Sequence, residues 1–247
     1  MRPIIAISGG KDSAYTAWLV QSRGENPMGV MIDTGFLPLR AHENARRVCN
    51  RLDMPLVTYS FPREFKTIYR TGLPMVRDGL DPFKMICHPC HALLHTQLLR
   101  VARRYESIRV YSGCGRKHET HMGARIANTT TDDGIEIVYP MLDCGLSPSE
   151  IRRLLDRNGV LEWDRSSPLT TNCRVCHAMI DTALRAGHGN PFAPYFLDPR
   201  EPEAGWLRTR VMQAACWLAA RTGLYRLVLR GLYGKLNDAK PLPSAGD

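Results

Sequence analysis

The chain has 247 residues, enough for one large domain or one domain with a small appendage, and 44% of them are hydrophobic. That apolar content predicts a packed globular core and excludes a disordered chain. The formal net charge of +9 indicates either a polyanionic partner or a basic, solvated surface.

The sequence contains no apolar run as long as the roughly 18 residues that a membrane span requires. The first residues lead directly into a glycine pair, without the length or the cleavage site of a signal peptide. We therefore expect a cytoplasmic protein. In that compartment the eight cysteines favour metal or redox chemistry over structural disulfides.

Short apolar strands alternate with helical segments through the first 160 residues. Strands are predicted over 4–7, 28–32, 56–59, 108–112 and 135–138, and helices over 13–23, 39–52 and 87–105. A further helix is predicted from Ser147, where Pro148 and Glu150 complete an N-terminal capping pattern. This alternation predicts an α/β fold with a doubly wound, mostly parallel sheet.

Beyond residue 160 the alternation ends, so we expect a nucleotide-binding domain over 1–160 and a smaller helical region over 161–247. Helices are predicted there over 173–186 and 206–221. The basic stretch that follows could track an RNA backbone, contact a partner subunit in a homodimer or lie on a membrane surface; it includes Arg221, Arg226, Arg230 and Lys235.

The segment Ser8-Gly9-Gly10-Lys11-Asp12-Ser13 joins the first predicted strand to the first predicted helix. The two glycines allow the backbone to approach an anion closely, and the helix N-terminus can bind phosphate. The serine hydroxyls can donate further hydrogen bonds, and Lys11 can add a positive charge. Asp12 would repel phosphate, which suggests that it holds Mg²⁺ or organises the loop. The alternative is an ordinary Gly-Gly turn.

This segment resembles the signature of the PP-loop superfamily, whose fold is of the adenine nucleotide alpha hydrolase type. The resemblance covers about residues 3–160 and implies cleavage of ATP to AMP and pyrophosphate. It also implies that the pyrophosphate is held by Ser8, Gly9, Gly10, Asp12 and Ser13. Asp33, at the end of the second strand, is similar to a position that contacts the adenosine in this superfamily.

Two Cys-x-x-Cys pairs, Cys87/Cys90 and Cys173/Cys176, are each predicted at the start of a helix. The helix dipole favours thiolates at that position, which assists metal binding. Four cysteines suit structural zinc, and three or four suit an iron–sulfur cluster. A redox disulfide within each pair is the alternative.

Within a PP-loop chain, this arrangement resembles the tRNA 2-thiocytidine synthetases and their 2-thiouridine relatives. The resemblance implies a [4Fe-4S] cluster held by Cys87, Cys90 and one of Cys173 and Cys176, with one iron open to carry sulfur. It implies catalytic roles for Asp12 and for Cys173 or Cys176. The partners it implies are ATP, Mg²⁺, a sulfur donor and a tRNA or another nucleobase-containing substrate.

The stretch after the fourth strand departs from that family. It reads Gly113-Cys114-Gly115-Arg116-Lys117-His118-Glu119-Thr120 and is more similar to the phosphoadenylylsulfate reductases. We expect Gly113 and Arg116 to face the nucleotide there. The Glu-Cys-Gly-x-His segment that carries the reacting thiol of those reductases is absent from the sequence.

The sequence therefore favours ATP-dependent adenylation and sulfur transfer to a tRNA base. Three alternatives stay open. One is a reductase-like or other small-molecule sulfur enzyme, and another is a ligase similar to deazaguanine-nitrile synthase with structural zinc. The third is a nucleotide-binding module without turnover.

Overall fold

The computed structural model of the chain describes residues 1–115, 125–161 and 174–187. Its sheet contains six strands in the order β3-β2-β1-β4-β6-β5. All neighbouring pairs are parallel except the edge pair β5–β6, which is antiparallel. The strands are β1 (Ile4–Ala6), β2 (Met28–Asp33), β3 (Leu56–Ser60), β4 (Arg109–Tyr111), β5 (Thr129–Thr130) and β6 (Glu136–Val138).

Six α-helices accompany the sheet in the described part of the chain. They are α1 (Lys11–Ser22), α2 (Leu39–Arg51), α3 (Pro62–Arg77), α4 (His88–Arg104), α5 (Pro148–Arg157) and α6 (Arg174–Arg185). A π-helix, Phe83–Cys87, leads directly into α4, and a 3₁₀-helix, Pro140–Leu142, follows β6.

Helices cover both faces of the sheet, and each face has its own hydrophobic core. Adjacent strand residues point to opposite faces, so Ile4 belongs to one core and Ile5 to the other. The core that contains Ile4 is shared with α3, the π-helix, α4 and α6. The core that contains Ile5 is shared with α1, α2 and α5. The result is the three-layer, doubly wound fold that the sequence predicts.

The observed elements follow the predicted ones with a few differences. Helix α1 begins at Lys11, two residues before its predicted start, so Lys11 and Asp12 lie in its first turn. The edge strand β5 is too short to leave a periodic signal and was not predicted. The capping box at Ser147 and Glu150 is confirmed. The predicted helix over 206–221 and the basic stretch after it lie outside the described residues.

Candidate nucleotide site at the carboxyl edge of the sheet

The loops that follow β1, β2, β3, β4 and β6 meet at one edge, because these five strands are parallel. From β1 the chain proceeds through β2 to β3 on one side, and then returns to place β4 on the other side of β1. Ligands of open α/β sheets bind at such a reversal, beyond the carboxyl ends of the strands. The loop after β1 therefore lies at the expected ligand crevice.

Gly9 fills a position in this loop that no other residue could occupy without strain. Its φ is +74°, in the left-handed region, and a Cβ atom there would lie 2.1 Å from the Ala41 carbonyl oxygen. The Asn44 side-chain amide donates a hydrogen bond of 3.2 Å to the Gly9 carbonyl. The loop is thus held closely against α2.

The hydroxyl of Ser13 organises the loop from inside. It donates to the Gly10 carbonyl at 2.9 Å and accepts from the Ser8 backbone N–H at 3.2 Å. The two serine hydroxyl oxygens are also 3.2 Å apart. Gly10 is the N-cap of α1 and has no side chain, so it leaves that helix without a side-chain cap of its own. This is the arrangement that helix N-termini use to bind anions.

Lys11 and Asp12 form an ion pair in the first turn of α1. The Lys11 Nζ lies 2.9 Å from the Asp12 Oδ1, and the two side chains are 6% and 19% exposed. Lys11 therefore neutralises the carboxylate that would otherwise repel a phosphate group. The Thr16 hydroxyl donates to the Asp12 carbonyl at 2.9 Å, which fixes the backbone of this turn.

The loop after β4 closes the other side of the crevice. A Cβ atom on Gly113 would lie 2.8 Å from the Ser13 backbone nitrogen and 2.9 Å from the Asp12 carbonyl carbon. Glycine at position 113 thus allows the β4 loop to touch the first turn of α1. That Gly113 faces the nucleotide stays a prediction, and Arg116 lies outside the described residues.

Asp33 lies at the same edge, at the end of β2. Its carboxylate accepts a hydrogen bond from the Gly35 N–H at 2.9 Å and another from the Ser60 hydroxyl at 3.3 Å. The His42 Nε2 lies 3.7 Å from the same carboxylate. Asp33 therefore orders the β2 loop and ties it to β3.

The first cysteine pair begins α4, which runs antiparallel to β4 because its C-terminal end connects to the start of that strand. His95 stacks on Tyr139, one residue past the end of β6, with ring centroids 6.2 Å apart. His88 lies seven residues earlier, about 10 Å further along the helix at 1.5 Å per residue. The start of α4, with Cys87 and Cys90, therefore lies toward the carboxyl edge of the sheet, where both cysteines pack against the core that contains Ile4.

The residues beside this part of α4 are poorly solvated. Burial lowers the pKa of His95, which favours the neutral imidazole. Burial, together with the nearby Cys114, raises the pKa of Tyr139 to about 12. His88 Nε2 is buried and has no hydrogen-bond partner among the described residues. A buried polar atom of this kind costs free energy unless a ligand or a water satisfies it.

The chain is similar in sequence to curated tRNA-modifying enzymes. It is 34% identical over 179 residues to a tRNA-specific 2-thiouridylase MnmA of Clostridium botulinum, and the match covers 68% of this chain and 49% of that protein. It is 30% identical over 99 residues to the corresponding protein of Helicobacter pylori, covering 36% of this chain and 28% of that one. The chain is a member of the PP-loop superfamily. Membership of this superfamily agrees with the PP-loop signature at Ser8–Ser13.

The chain spans about half the length of the Clostridium botulinum relative and a smaller part of the Helicobacter pylori relative. No family model matches the sequence. Two solved structures are similar, both at 20% identity and over 64% of this chain. One is NMN synthetase from Francisella tularensis, with a TM-score of 0.46 and 62% of that chain covered. The other is a predicted subunit of tRNA methyltransferase from Methanocaldococcus jannaschii, with a TM-score of 0.42 and 88% covered.

The structure of this PP-loop protein describes only part of the predicted metal site. Cys87 and Cys90 are half-buried at the start of α4. Cys173 lies outside the described residues, and Cys176 lies in α6, where its backbone alone is described. No group of three or more His, Cys, Asp or Glu side chains that could hold a metal ion occurs within residues 1–115, 125–161 and 174–187. No helix there is long and apolar enough to cross a membrane.

Sequence reasoning missed two features of the site. The π-helix before Cys87 packs so closely on α3 that a Cβ atom on Gly72 would lie 2.3 Å from the Ile86 Cγ1. π-Helical turns are rare overall, and many of those known lie at functional sites. No sequence pattern predicts them. The second feature is the bond between Asn44 and Gly9, which joins residues 35 positions apart and has no local signal.

Proposed function

We propose that this chain uses ATP to thiolate a base of tRNA, with AMP and pyrophosphate as the products of ATP. The observation that carries the proposal is the loop Ser8–Ser13, packed between α2 and Gly113 at the sheet reversal. The similarity of the chain to tRNA-specific 2-thiouridylases supports the choice of tRNA as substrate. The position of Cys87 and Cys90 at the same edge supports sulfur chemistry.

The reaction balances in two displacement steps. The carbonyl oxygen of the base first attacks the α-phosphorus of ATP, the bond to the β-phosphate breaks, and pyrophosphate leaves. A sulfur nucleophile from a donor then attacks the adenylated carbon. The carbon–oxygen bond breaks, and AMP leaves with the former carbonyl oxygen. The base gains a carbon–sulfur double bond in its place.

The chain's own residues have distinct tasks in the first step. The backbone N–H groups at the start of α1, with the hydroxyls of Ser8 and Ser13, bind the departing pyrophosphate. Asp12 would hold a Mg²⁺ ion that enters with ATP, and that ion would supply positive charge to the phosphates. Lys11, which balances the Asp12 charge before ATP arrives, is then able to contact a phosphate oxygen. Gly113 keeps the opposite wall close enough to exclude water.

Cys87 and Cys90 supply two thiolates of a metal centre in this proposal, and one of Cys173 and Cys176 supplies a third. Two half-buried thiols three residues apart at a helix start suit a cluster or a zinc ion in their donor chemistry. The buried, unpartnered His88 Nε2 beside them is consistent with a bound group at this place. A [4Fe-4S] cluster with one open iron would supply a binding site for the transferred sulfur.

The nucleotide chemistry is tested by product analysis with purified protein, Mg²⁺-ATP and bulk tRNA. We expect AMP and pyrophosphate, and a large loss of both in Asp12→Asn and Ser13→Ala. Matched controls are Asp132→Asn and Ser22→Ala, which alter exposed residues away from the loop and should keep activity. ADP and phosphate as products would show that the assignment is wrong.

The metal centre is tested separately by iron, sulfide and zinc analysis of anaerobically purified protein. We expect a brown protein whose colour is lost in Cys87→Ala and in Cys90→Ala, while Cys144→Ala keeps it. One of Cys173→Ala and Cys176→Ala should abolish the cluster, and the other should have a milder effect. A colourless protein with one tightly bound zinc, unfolded alike by all four substitutions, would favour the ligase with structural zinc.

A further inference from the structure

Helix α3 carries a line of positive side chains along one side, which we call the basic stripe. It consists of Arg63, Lys66, Arg70 and Arg77. At 3.6 residues per turn, these four positions fall within an arc of about 60°. Their spacing extends over about 21 Å of helix axis, since fourteen residues separate the first from the last.

The basic stripe faces solvent. Arg63, Arg70 and Arg77 are exposed and Lys66 is half-buried, whereas a different side of the helix packs Phe65 into the core. The other buried residues of that side are Tyr69, Gly72 and Val76. The stripe is therefore not needed to hold α3 on the sheet.

Glu64 is the single acidic residue of α3, against the four cations of the stripe. In the described part of the chain, neither Arg63, Lys66 nor Arg70 is within ion-pair distance of a carboxylate. Arg77 pairs with Asp78, but both side chains are more than 60% exposed, at 67% and 61%. An exposed ion pair of this kind is weak, because water screens both charges.

The N-terminal end of the basic stripe lies next to the candidate nucleotide site at the carboxyl edge of the sheet. The Phe61 N–H donates to the Asp33 carbonyl at 3.0 Å. A Cβ atom on Gly35 would lie 2.7 Å from the Pro62 Cβ. Arg63 follows directly in the chain, so the stripe begins at the loop after β2 and leads away from the crevice along the outside of the molecule.

We propose that the basic stripe of α3 binds the phosphate backbone of the substrate RNA and positions it toward the crevice. This inference rests on the proposed function and names a second, non-catalytic part of the same RNA site. A double-stranded nucleic acid presents about a dozen charges over 21 Å, enough to engage all four cations. An anionic membrane fits less well, because a helix bound to lipid inserts an apolar face and that face of α3 is already buried.

The test compares tRNA binding by the full chain and by the triple variant Arg63→Gln, Arg70→Gln and Arg77→Gln, across a salt series. Each lost phosphate contact should reduce the slope of log affinity against log salt by about 0.7 to 0.9. We expect a total reduction of about 2 to 3 and a tRNA affinity at least about tenfold weaker at low salt. ATP affinity should be unchanged, because α3 contributes no group to the phosphate loop.

Two further variants make the result specific. The variant Arg63→Lys, Arg70→Lys and Arg77→Lys keeps the positive charge and should retain most of the tRNA affinity. The double variant Arg51→Gln and Arg157→Gln removes exposed arginines from the last turns of α2 and α5, at the opposite edge, and should bind tRNA like the unaltered chain. Circular dichroism and thermal unfolding check that every variant is folded.

Each outcome decides between the proposals. Equal tRNA affinity and equal salt slope in the unaltered chain and the triple Gln variant would overturn this inference alone and leave the proposed thiolation intact. If the unaltered chain bound no tRNA, both proposals would fail together. If it bound vesicles of phosphatidylserine through the stripe and not tRNA, the surface would be a membrane-binding one and the RNA inference would be wrong.

Discussion

Substituting Gly9 by alanine should damage the phosphate loop in two separable ways. The left-handed backbone at φ +74° costs a residue with a Cβ atom about 1–2 kcal/mol. The new methyl group would also lie 2.1 Å from the Ala41 carbonyl oxygen, and real Cβ contacts essentially never fall below 3.0 Å. Relieving that contact by shifting the backbone costs about 1–3 kcal/mol more. We therefore expect a total loss of about 2–5 kcal/mol in the free energy of unfolding.

Two other glycines separate these contributions. Gly24 has a similar φ of +82° and nothing within 4 Å of its added Cβ, so Gly24→Ala tests the backbone strain alone. Gly113 has no positive φ but would bring its Cβ to 2.8 Å from the Ser13 nitrogen, so Gly113→Ala tests close contact alone. Urea unfolding measures the stability of each variant, and AMP formation measures its activity.

The activity should respond differently from the stability. Because Gly9 and Gly113 touch the loop itself, a displacement of about 1 Å there should lower kcat/KM about 100-fold. Gly24 lies at the far end of α1, and Gly24→Ala should leave kcat/KM nearly unchanged. If Gly9→Ala were no less stable and no less active than Gly24→Ala, the close approach of the loop to α2 would be refuted.

Three other predictions concern single contacts. Asn44→Ala removes the hydrogen bond to Gly9 and should lower the free energy of unfolding by about 1 kcal/mol, with weaker ATP binding measured by calorimetry. Burial lowers the pKa of His95 from 6.5, so the unfolded chain gains a proton first and stability falls as the pH drops below that value. His95→Gln should flatten this decline in unfolding curves recorded from pH 7.5 to 5. Ser147→Ala removes the cap of α5 and should lower the unfolding free energy by about 1 kcal/mol, whereas Ser22→Ala, at an exposed position in the last turn of α1, should have little effect.

Local patterns in the sequence determined the parallel strands, most of the helices and the phosphate loop of this protein. Strand residues such as Ile4 and Ile5 form an apolar run because both faces of the sheet are covered, and a glycine pair between a strand and a helix is a local signal of an anion site. The capping box of Ser147 and Glu150 is equally local, since both hydrogen bonds join residues three positions apart.

Only the tertiary structure decided how distant segments meet. The return of β4 to the side of β1 brings Gly113 against the first turn of α1, a contact between residues about one hundred positions apart in the sequence. The burial of the Lys11–Asp12 ion pair is likewise imposed by the surrounding chain. The π-helix before Cys87 packs closely on Gly72 of α3, which lies more than ten residues earlier in the chain. Such features arise from packing between elements, and no periodicity within a single element encodes them.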